Sequence, residues 1–293
     1  MYVTINGAQL YMEIYGEQNE RSILFLHGGP GMGDCRGDIF TFKEKLESEF
    51  KLVFVDLRGS GRSSDTPPYS HEQWVEDIEE IRKNFHLDKL ILLGSSYGGF
   101  LAQEYAVKYP ENVEYLILNV TSPDDRNSGV AIRNAVEAKI DITLVELTRL
   151  FNGEVQSNED FKILYKKIQP LYVKDFDPVK AEERLNSIYF HYETHNVAFK
   201  NLITFDMLPK LKDLSCKVLV TSGEKDWITP PECGEKIYNA LPQAIFIVFQ
   251  EYGHSFVREI PNDFIAILQR FLHDEFTTTK QRFKWEEGEL SIV

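Results

Sequence analysis

Short runs of consecutive apolar residues alternate along the chain with stretches whose apolar residues recur at helical spacing. Ser22–Leu26, Lys51–Val55, Lys89–Leu93, Val113–Val120, Lys217–Thr221 and Ala244–Phe249 are runs of the first kind. Apart from Glu114 and polar residues at or near their ends, they are apolar at successive rather than alternate positions, which suits strands buried on both faces of a parallel sheet. Helical spacing covers roughly Ile39–Glu49, His71–Phe85, Tyr97–Tyr109, Glu232–Leu241 and Ile260–Phe271. Ser70 followed by Glu72 and Gln73 predicts a capped helix start, and Pro110 stops the helix that begins at Tyr97. Tyr2–Ile5 and Gln9–Tyr15 flank Asn6-Gly7, a tight hairpin signal. Strand and helix alternating through short loops predict an α/β fold, a doubly wound, mostly parallel sheet with helices on both faces.

The alternation breaks between about Thr121 and Pro209. That stretch is charged, helical in its periodicity and dotted with aromatics, as in Ile188-Tyr-Phe-His-Tyr192. It reads as a helical insertion over the C-terminal edge of the sheet, where open α/β folds bind ligands. Its aromatics either pack a small core of their own or line a pocket. The expected organisation is a core of residues 1–120 and 210–273, a helical cap over 121–209 and a tail over 274–293. The tail is polar from Asp274 onward and is expected to be partly disordered. A chain of 293 residues suits one such domain with an insertion, and buries a core without disulfides or metals.

Composition narrows the function classes. A formal net charge of −14 argues against nucleic acid as a partner, because phosphate binding needs clustered Lys and Arg. The charge reads as a solvated acidic exterior. Cys35, Cys216 and Cys233 have no repeated spacing, so neither a disulfide framework nor a zinc site is indicated. Met1 to Gly7 lack the basic start and apolar core of a signal peptide, and no apolar run approaches a membrane span. The expected location is cytoplasmic, with no membrane partner. The oligomeric state is left open.

The chemistry begins where Leu90-Ile-Leu-Leu93 runs into Gly94-Ser-Ser-Tyr-Gly-Gly99 and then into a helix. This is G-x-S-x-G in the context strand, sharp turn, helix. The turn forces Ser96 into a strained backbone conformation, and only small neighbours at Gly94, Gly98 and Gly99 let strand and helix approach. The hydroxyl is thereby presented at a helix N-terminus, where the dipole and unpaired N–H groups stabilise negative charge. Ser96 is the candidate nucleophile.

An acyl-transfer site must also hold a developing oxyanion with two preorganised donors. One is expected from Tyr97, the residue after the nucleophile. The other is expected from Gly29 in His27-Gly-Gly-Pro-Gly31, the loop after the third strand. His27 is placed to orient that loop rather than to act as a base. Chain order then gives the acid and the base. Ser222-Gly-Glu-Lys-Asp226 follows one strand and Tyr252-Gly-His254 the next, so Asp226 and His254 emerge from neighbouring strand ends on the side of Ser96. Asp124 and Asp125 are alternative acids; His191, His195 and His273 are weaker candidates for the base.

Taken in order, His27-Gly-Gly-Pro-Gly31, Asp56-Leu-Arg-Gly-Ser-Gly-Arg-Ser63, Gly94-Ser-Ser-Tyr-Gly-Gly99, Gly223-Glu-Lys-Asp226 and Gly253-His254 resemble the prolyl aminopeptidases, or proline iminopeptidases, among the α/β-hydrolases. The resemblance covers essentially the whole chain outside the insertion. H-G-G-P-G with G-x-S-Y-G-G is fairly specific to that family; D-x-x-G-x-G-x-S is widespread in the fold, and Asp56–Ser63 reads as a tight turn with its own hydrogen bonds. The resemblance implies an α/β-hydrolase fold, hydrolysis without cofactor or metal, and a small peptide or amide as substrate. It also implies two glutamates that meet the substrate's amine, one directly after the catalytic Asp and one in the insertion.

At those positions the chain departs from the family. Trp227 follows Asp226, and the second position falls near His195, with Glu193 two residues away. Gly28, Trp227, Glu193 and His195 are the candidate substrate-binding residues. Trp227 is either an apolar wall beside the triad, which fits an ester, lactone or hydrophobic amide, or a packed loop aromatic. The expected function is a serine hydrolase working through an acyl-enzyme. A proline iminopeptidase-like aminopeptidase is the first named activity, and a carboxylesterase or lactonase the alternative. A non-catalytic ligand receptor on the same fold is the alternative from a different class, and a complete triad argues against it.

Overall fold

The computed structural model describes residues 1–125, 128–276 and 280–293; residues 126–127 of the insertion and 277–279 of the tail lie outside the described residues. The apolar runs are strands of one ten-stranded sheet. Its strands are β1 (Tyr2–Ile5), β2 (Ala8–Tyr15), β3 (Ser22–Leu26), β4 (Lys51–Val55), β5 (Leu90–Ser95), β6 (Val113–Asn119), β7 (Lys217–Gly223), β8 (Ala244–Phe249), β9 (Gln281–Glu286) and β10 (Glu289–Ile292). In space they follow the order β1-β2-β4-β3-β5-β6-β7-β8-β9-β10. From β4 to β9 all neighbours are parallel. The β1–β2 hairpin joins β4 antiparallel, and β10 closes antiparallel on β9.

Strands apolar at every position have two faces to bury, and each face has its own helices. Leu24, Leu26, Val53, Leu92 and Val220 pack with Trp74, Ile78, Leu101 and Ile237 on one side. These helical residues belong to α2 (His71–Asn84), α3 (Tyr97–Lys108) and α10 (Pro231–Ala240). Ile23, Phe25, Phe54, Ile91 and Ile247 pack on the other side with Phe42, Leu46, Phe264 and Leu268. Those helices are α1 (Arg36–Leu46) and α12 (Pro261–Leu272), the latter preceded by the short α11 (Phe256–Glu259). Ser70 caps α2 as its sequence predicts, its hydroxyl accepting from the Gln73 N–H at 3.1 Å.

Between β6 and β7 the chain makes α4 (Ser128–Glu137), α5 (Leu144–Phe151), α6 (Asn158–Ile168), α7 (Pro178–Ser187), α8 (Tyr192–Leu202) and α9 (Leu208–Leu211). The excursion leaves and returns at one place: Asp124 bridges Asp206, and the Met207 N–H donates to the Pro123 carbonyl at 2.8 Å. Its helices bury Leu147, Leu150, Phe161, Leu164 and Leu185 against one another, with Trp227 from the main domain. No helix among the described residues is long and apolar enough to cross a membrane.

Over residues 281–292 the tail forms strands where partial disorder was expected. Arg282-Phe283-Lys284-Trp285-Glu286 alternates polar and apolar, and Glu287 and Gly288 turn the chain with φ of 48° and 91°. Period-two alternation is a strand signal even in polar company. Phe283 and Trp285 are buried and cover β8, whose six residues are all buried. The Trp285 ring lies 5.5 Å from that of Phe249. Trp285→Ala is expected to cost about 3 kcal/mol, read from the urea midpoint; an unchanged midpoint would show that the hairpin adds nothing to the core.

Candidate active site

Ser96 stands between β5 and α3 with φ of 53°, a left-handed conformation rare for a residue with a side chain. The surroundings fix it there. Its N–H donates to the Asn119 carbonyl at 2.9 Å, and its own carbonyl accepts from the Thr121 hydroxyl at 2.8 Å. The glycines are tight for the reason their spacing suggests. A Cβ on Gly98 would lie 2.0 Å from the Leu26 carbonyl oxygen, and one on Gly94 2.4 Å from that of Gly98.

Across from Ser96 runs the loop after β3. A Cβ on Gly28 would approach the Ser96 Cβ to 2.8 Å, so this close approach needs glycine. Gly29 has φ of 68°, and its carbonyl accepts from the Met32 N–H at 3.0 Å. His27 is buried, and its Nε2 accepts the Leu57 N–H at 3.0 Å. The proton is thereby assigned to Nδ1, which donates to the Gly28 carbonyl at 2.9 Å. With both nitrogens used, His27 is a brace for the loop.

The Asp56–Ser63 turn braces the same loop from behind. Asp56 accepts from the Cys35 N–H at 2.8 Å and from Arg62 Nε at 2.8 Å, and the Ser60 hydroxyl accepts from the Gly31 N–H at 2.9 Å. Burial alone would raise the Asp56 carboxyl, but the hydrogen bonds from Arg62 and Cys35 hold it below the usual range.

Asp226 follows β7 and His254 follows β8. They meet at 2.7 Å, His254 Nδ1 donating to Asp226 Oδ2. Both are buried. The other carboxylate oxygen accepts from the Ile228 and Thr229 N–H groups at 2.9 and 3.0 Å. The Thr229 hydroxyl lies 2.9 Å from Asp226 Oδ2 and 2.8 Å from the Val120 carbonyl. Held by several donors, Asp226 fixes one imidazole tautomer. Tyr172, from the insertion, sets its ring edge-on to His254 with centroids 5.4 Å apart. Sequence reasoning missed Thr229 and Tyr172. Thr229 had only a weak signal, since an Asp side chain can accept from backbone N–H groups just after it whatever residues carry them; Tyr172 had none, because only the insertion's fold brings it there.

Ser96, His254, Gly28, Gly29 and Tyr97 line one cavity of about 690 Å³, within the range of small-molecule sites. The insertion supplies much of its wall through Phe151, Phe161, Tyr165, His195 and Phe199. Tyr97 has a second tie besides its backbone. Its hydroxyl donates to the Ala198 carbonyl at 3.2 Å and lies 2.7 Å from His71 Nε2, while His71 Nδ1 donates to Glu104 at 2.9 Å.

The remaining candidates fall elsewhere. Trp227 is buried behind the cavity, edge-on to Phe151 and Tyr172, which themselves line it. The packed-aromatic reading therefore fits its position. Glu193 is exposed, whereas His195 is buried in the cavity wall. Residues two apart on a helix point about 200° apart, so one facing in turns the other out. His195 lies between the rings of Phe161 and Phe199, and Nε2 donates to the Leu150 carbonyl at 3.0 Å. Burial pulls its pKa down to about 4, so it is neutral at pH 7. Asp124 pairs with Lys236 at 3.0 Å, while Asp125 lines the cavity. His191 pairs with Asp65 and His273 with Glu49, away from Ser96.

Comparison with known proteins identifies the fold and the relatives. A family model for the α/β-hydrolase fold matches residues 21–259. The proline iminopeptidase PfmaB of Pestalotiopsis fici is 35% identical over 273 residues, covering 90% of this chain and 96% of the relative. A proline iminopeptidase of Thermoplasma volcanium is 27% identical over 304 residues, covering 92% and 95%. Among solved structures, an esterase of Exiguobacterium antarcticum shares the fold with a TM-score of 0.76 at 20% identity, over 93% of this chain and 99% of that one. The chain thus belongs to the α/β-hydrolase fold family and is a hydrolase similar to the proline iminopeptidases.

Proposed function

We propose that the chain is a serine hydrolase of small peptides or amides, proline iminopeptidase-like, working through an acyl-enzyme at Ser96. One observation carries the reading: a buried His254–Asp226 pair at 2.7 Å, with His254 lining the same cavity as a serine held at positive φ. The Ser96 Oγ attacks the scissile carbonyl as its proton passes to His254 Nε2, and Asp226 stabilises the imidazolium. The N–H groups of Gly29 and Tyr97 hold the oxyanion. His254 returns the proton to the leaving amine, and water hydrolyses the acyl-enzyme by the same steps. Residues 121–209 act as the cap that walls this cavity.

A second reading, an esterase or lactonase, draws on the substrate-binding side. The position expected to meet an amine holds His195, which is neutral, and Glu193 is exposed. An ammonium brought into a low-dielectric site without a carboxylate is strongly disfavoured. A fluorophosphonate is expected to label Ser96, read by peptide mass; absence of the adduct counts against both readings. Proline arylamide is expected to be cleaved at least about tenfold faster than its N-blocked form. Equal rates on the two, with fast cleavage of short aryl esters, transfer the assignment to the esterase.

A further inference from the structure

The charge of −14 describes the whole molecule, yet part of the cavity wall carries the opposite sign. Arg184, on α7, and Arg258, on α11, both line the cavity that contains Ser96 and His254. Arg258 lies against the first turn of α1, where a Cβ on Gly37 would come within 2.7 Å of its Nη2. Among the described residues neither Arg184 nor Arg258 makes a side-chain ion pair or hydrogen bond. Nearby arginines are treated differently: Arg36, Arg58 and Arg62 are each clamped by an aspartate at 2.6, 2.7 and 2.8 Å. Both residues are exposed, so water solvates the two guanidiniums and a ligand entering the cavity exchanges with it.

The two guanidiniums also feel each other. The like charge of Arg184 lowers the Arg258 pKa, although both residues are exposed to solvent. Like charges brought together are unfavourable, and a ligand that supplies counter-charge beyond that of Asp38 relieves them. The other charged groups of the wall set the sign and number. Asp34 is taken by Arg36, and Lys45 and Asp125 also line the cavity with opposite charges. Asp38 faces Arg258 from α1, and burial raises its carboxyl to about 6, so it is largely ionised at neutral pH. Two guanidiniums less one carboxylate leave a single positive charge, which matches a monoanion such as a carboxylate better than a phosphate dianion. The planar guanidinium fork suits a carboxylate in geometry as well.

We propose that Arg184 and Arg258 bind a carboxylate carried by the substrate, so that the molecules cleaved at Ser96 are acids bearing a separate scissile ester or amide. This rests on the hydrolase reading above and specifies its substrate class.

The test separates binding from turnover. Ser96→Ala protein is titrated by ligand-observed NMR with monomethyl glutarate and with methyl valerate, which carries a methyl in place of the carboxylate. The acid is expected to bind at least about tenfold tighter, and the preference to collapse in both the Arg258→Met and the Arg184→Gln background. Equal or undetectable binding of the two esters overturns the proposal, as does a preference that survives both substitutions. The same pair, given to the intact enzyme, keeps the two readings apart. Anion-selective binding without hydrolysis or serine labelling sinks the hydrolase reading alone, and hydrolysis of both without preference sinks the carboxylate site alone.

Discussion

Replacing His254 with alanine is expected to lower kcat at least about 10⁴-fold while the unfolding midpoint stays nearly in place. The loss is large because, among the described residues, the other two histidines lining the cavity have their ring nitrogens committed elsewhere. His27 accepts the Leu57 N–H and donates to Gly28, and His195 is neutral with Nε2 committed to Leu150. The fold survives because Asp226 is not left as an unpaired buried charge. It keeps the N–H groups of Ile228 and Thr229 and the nearby Thr229 hydroxyl, all within 3.0 Å. Single-turnover assays with an activated ester, beside a urea melt, check both halves. Near-normal turnover rejects His254 as the base, and collapse of the fold rejects the account of what holds Asp226.

The second large effect is on stability. Gly98→Ala is expected to destabilise by more than about 4 kcal/mol, in the exceptional range for one substitution. The added Cβ would lie 2.0 Å from the Leu26 carbonyl oxygen and 2.8 Å from that of His27, both backbone, with no side chain able to swing away. Gly129→Ala is the control. It lies in α4 with nothing within 4 Å of its added Cβ, and there alanine stabilises by about 0.5 kcal/mol. Urea midpoints of the two variants decide the matter, and equal shifts would refute the packing argument. Any relaxation that rescues Gly98→Ala moves the end of β3, so Gly28 and Gly29 shift and activity falls with stability.

What could be read from residues alone was whatever local chemistry dictates. A strand buried on both faces is apolar at successive positions, so the centres of β3 to β8 announce themselves. The turn at Ser96 admits only small neighbours, so its glycines recur at fixed spacing. Asp226 and His254 follow from chain order because each ends a parallel strand. The hidden parts depend on distance in space. β9 and β10 were masked by polar composition, though Phe283 and Trp285 alternate. Trp227 could be a cavity wall or a core residue until Phe151 and Tyr172 were seen in front of it. Whether Glu193 or His195 faces inward was a question of helix register, which no count of residues across an insertion settles. Arg184 and Arg258 lie on separate helices and have no local pattern at all.

The ties along α8 bear on how such a protein can be re-engineered. His191, capping that helix, gives its N–H to the Gly31 carbonyl at 2.7 Å; Asn201, near the other end, donates to the Tyr69 carbonyl at 3.0 Å; between them Ala198 receives the Tyr97 hydroxyl. Although it is spelled out within the insertion, α8 is fastened at three points to the scaffold. A chimera that swaps the whole span between β6 and β7 therefore discards the anchor of the residue following the nucleophile. A graft that ends before His191 exchanges α4 to α7 and leaves that anchor intact. The practical seam for module exchange lies inside the insertion rather than at its edges.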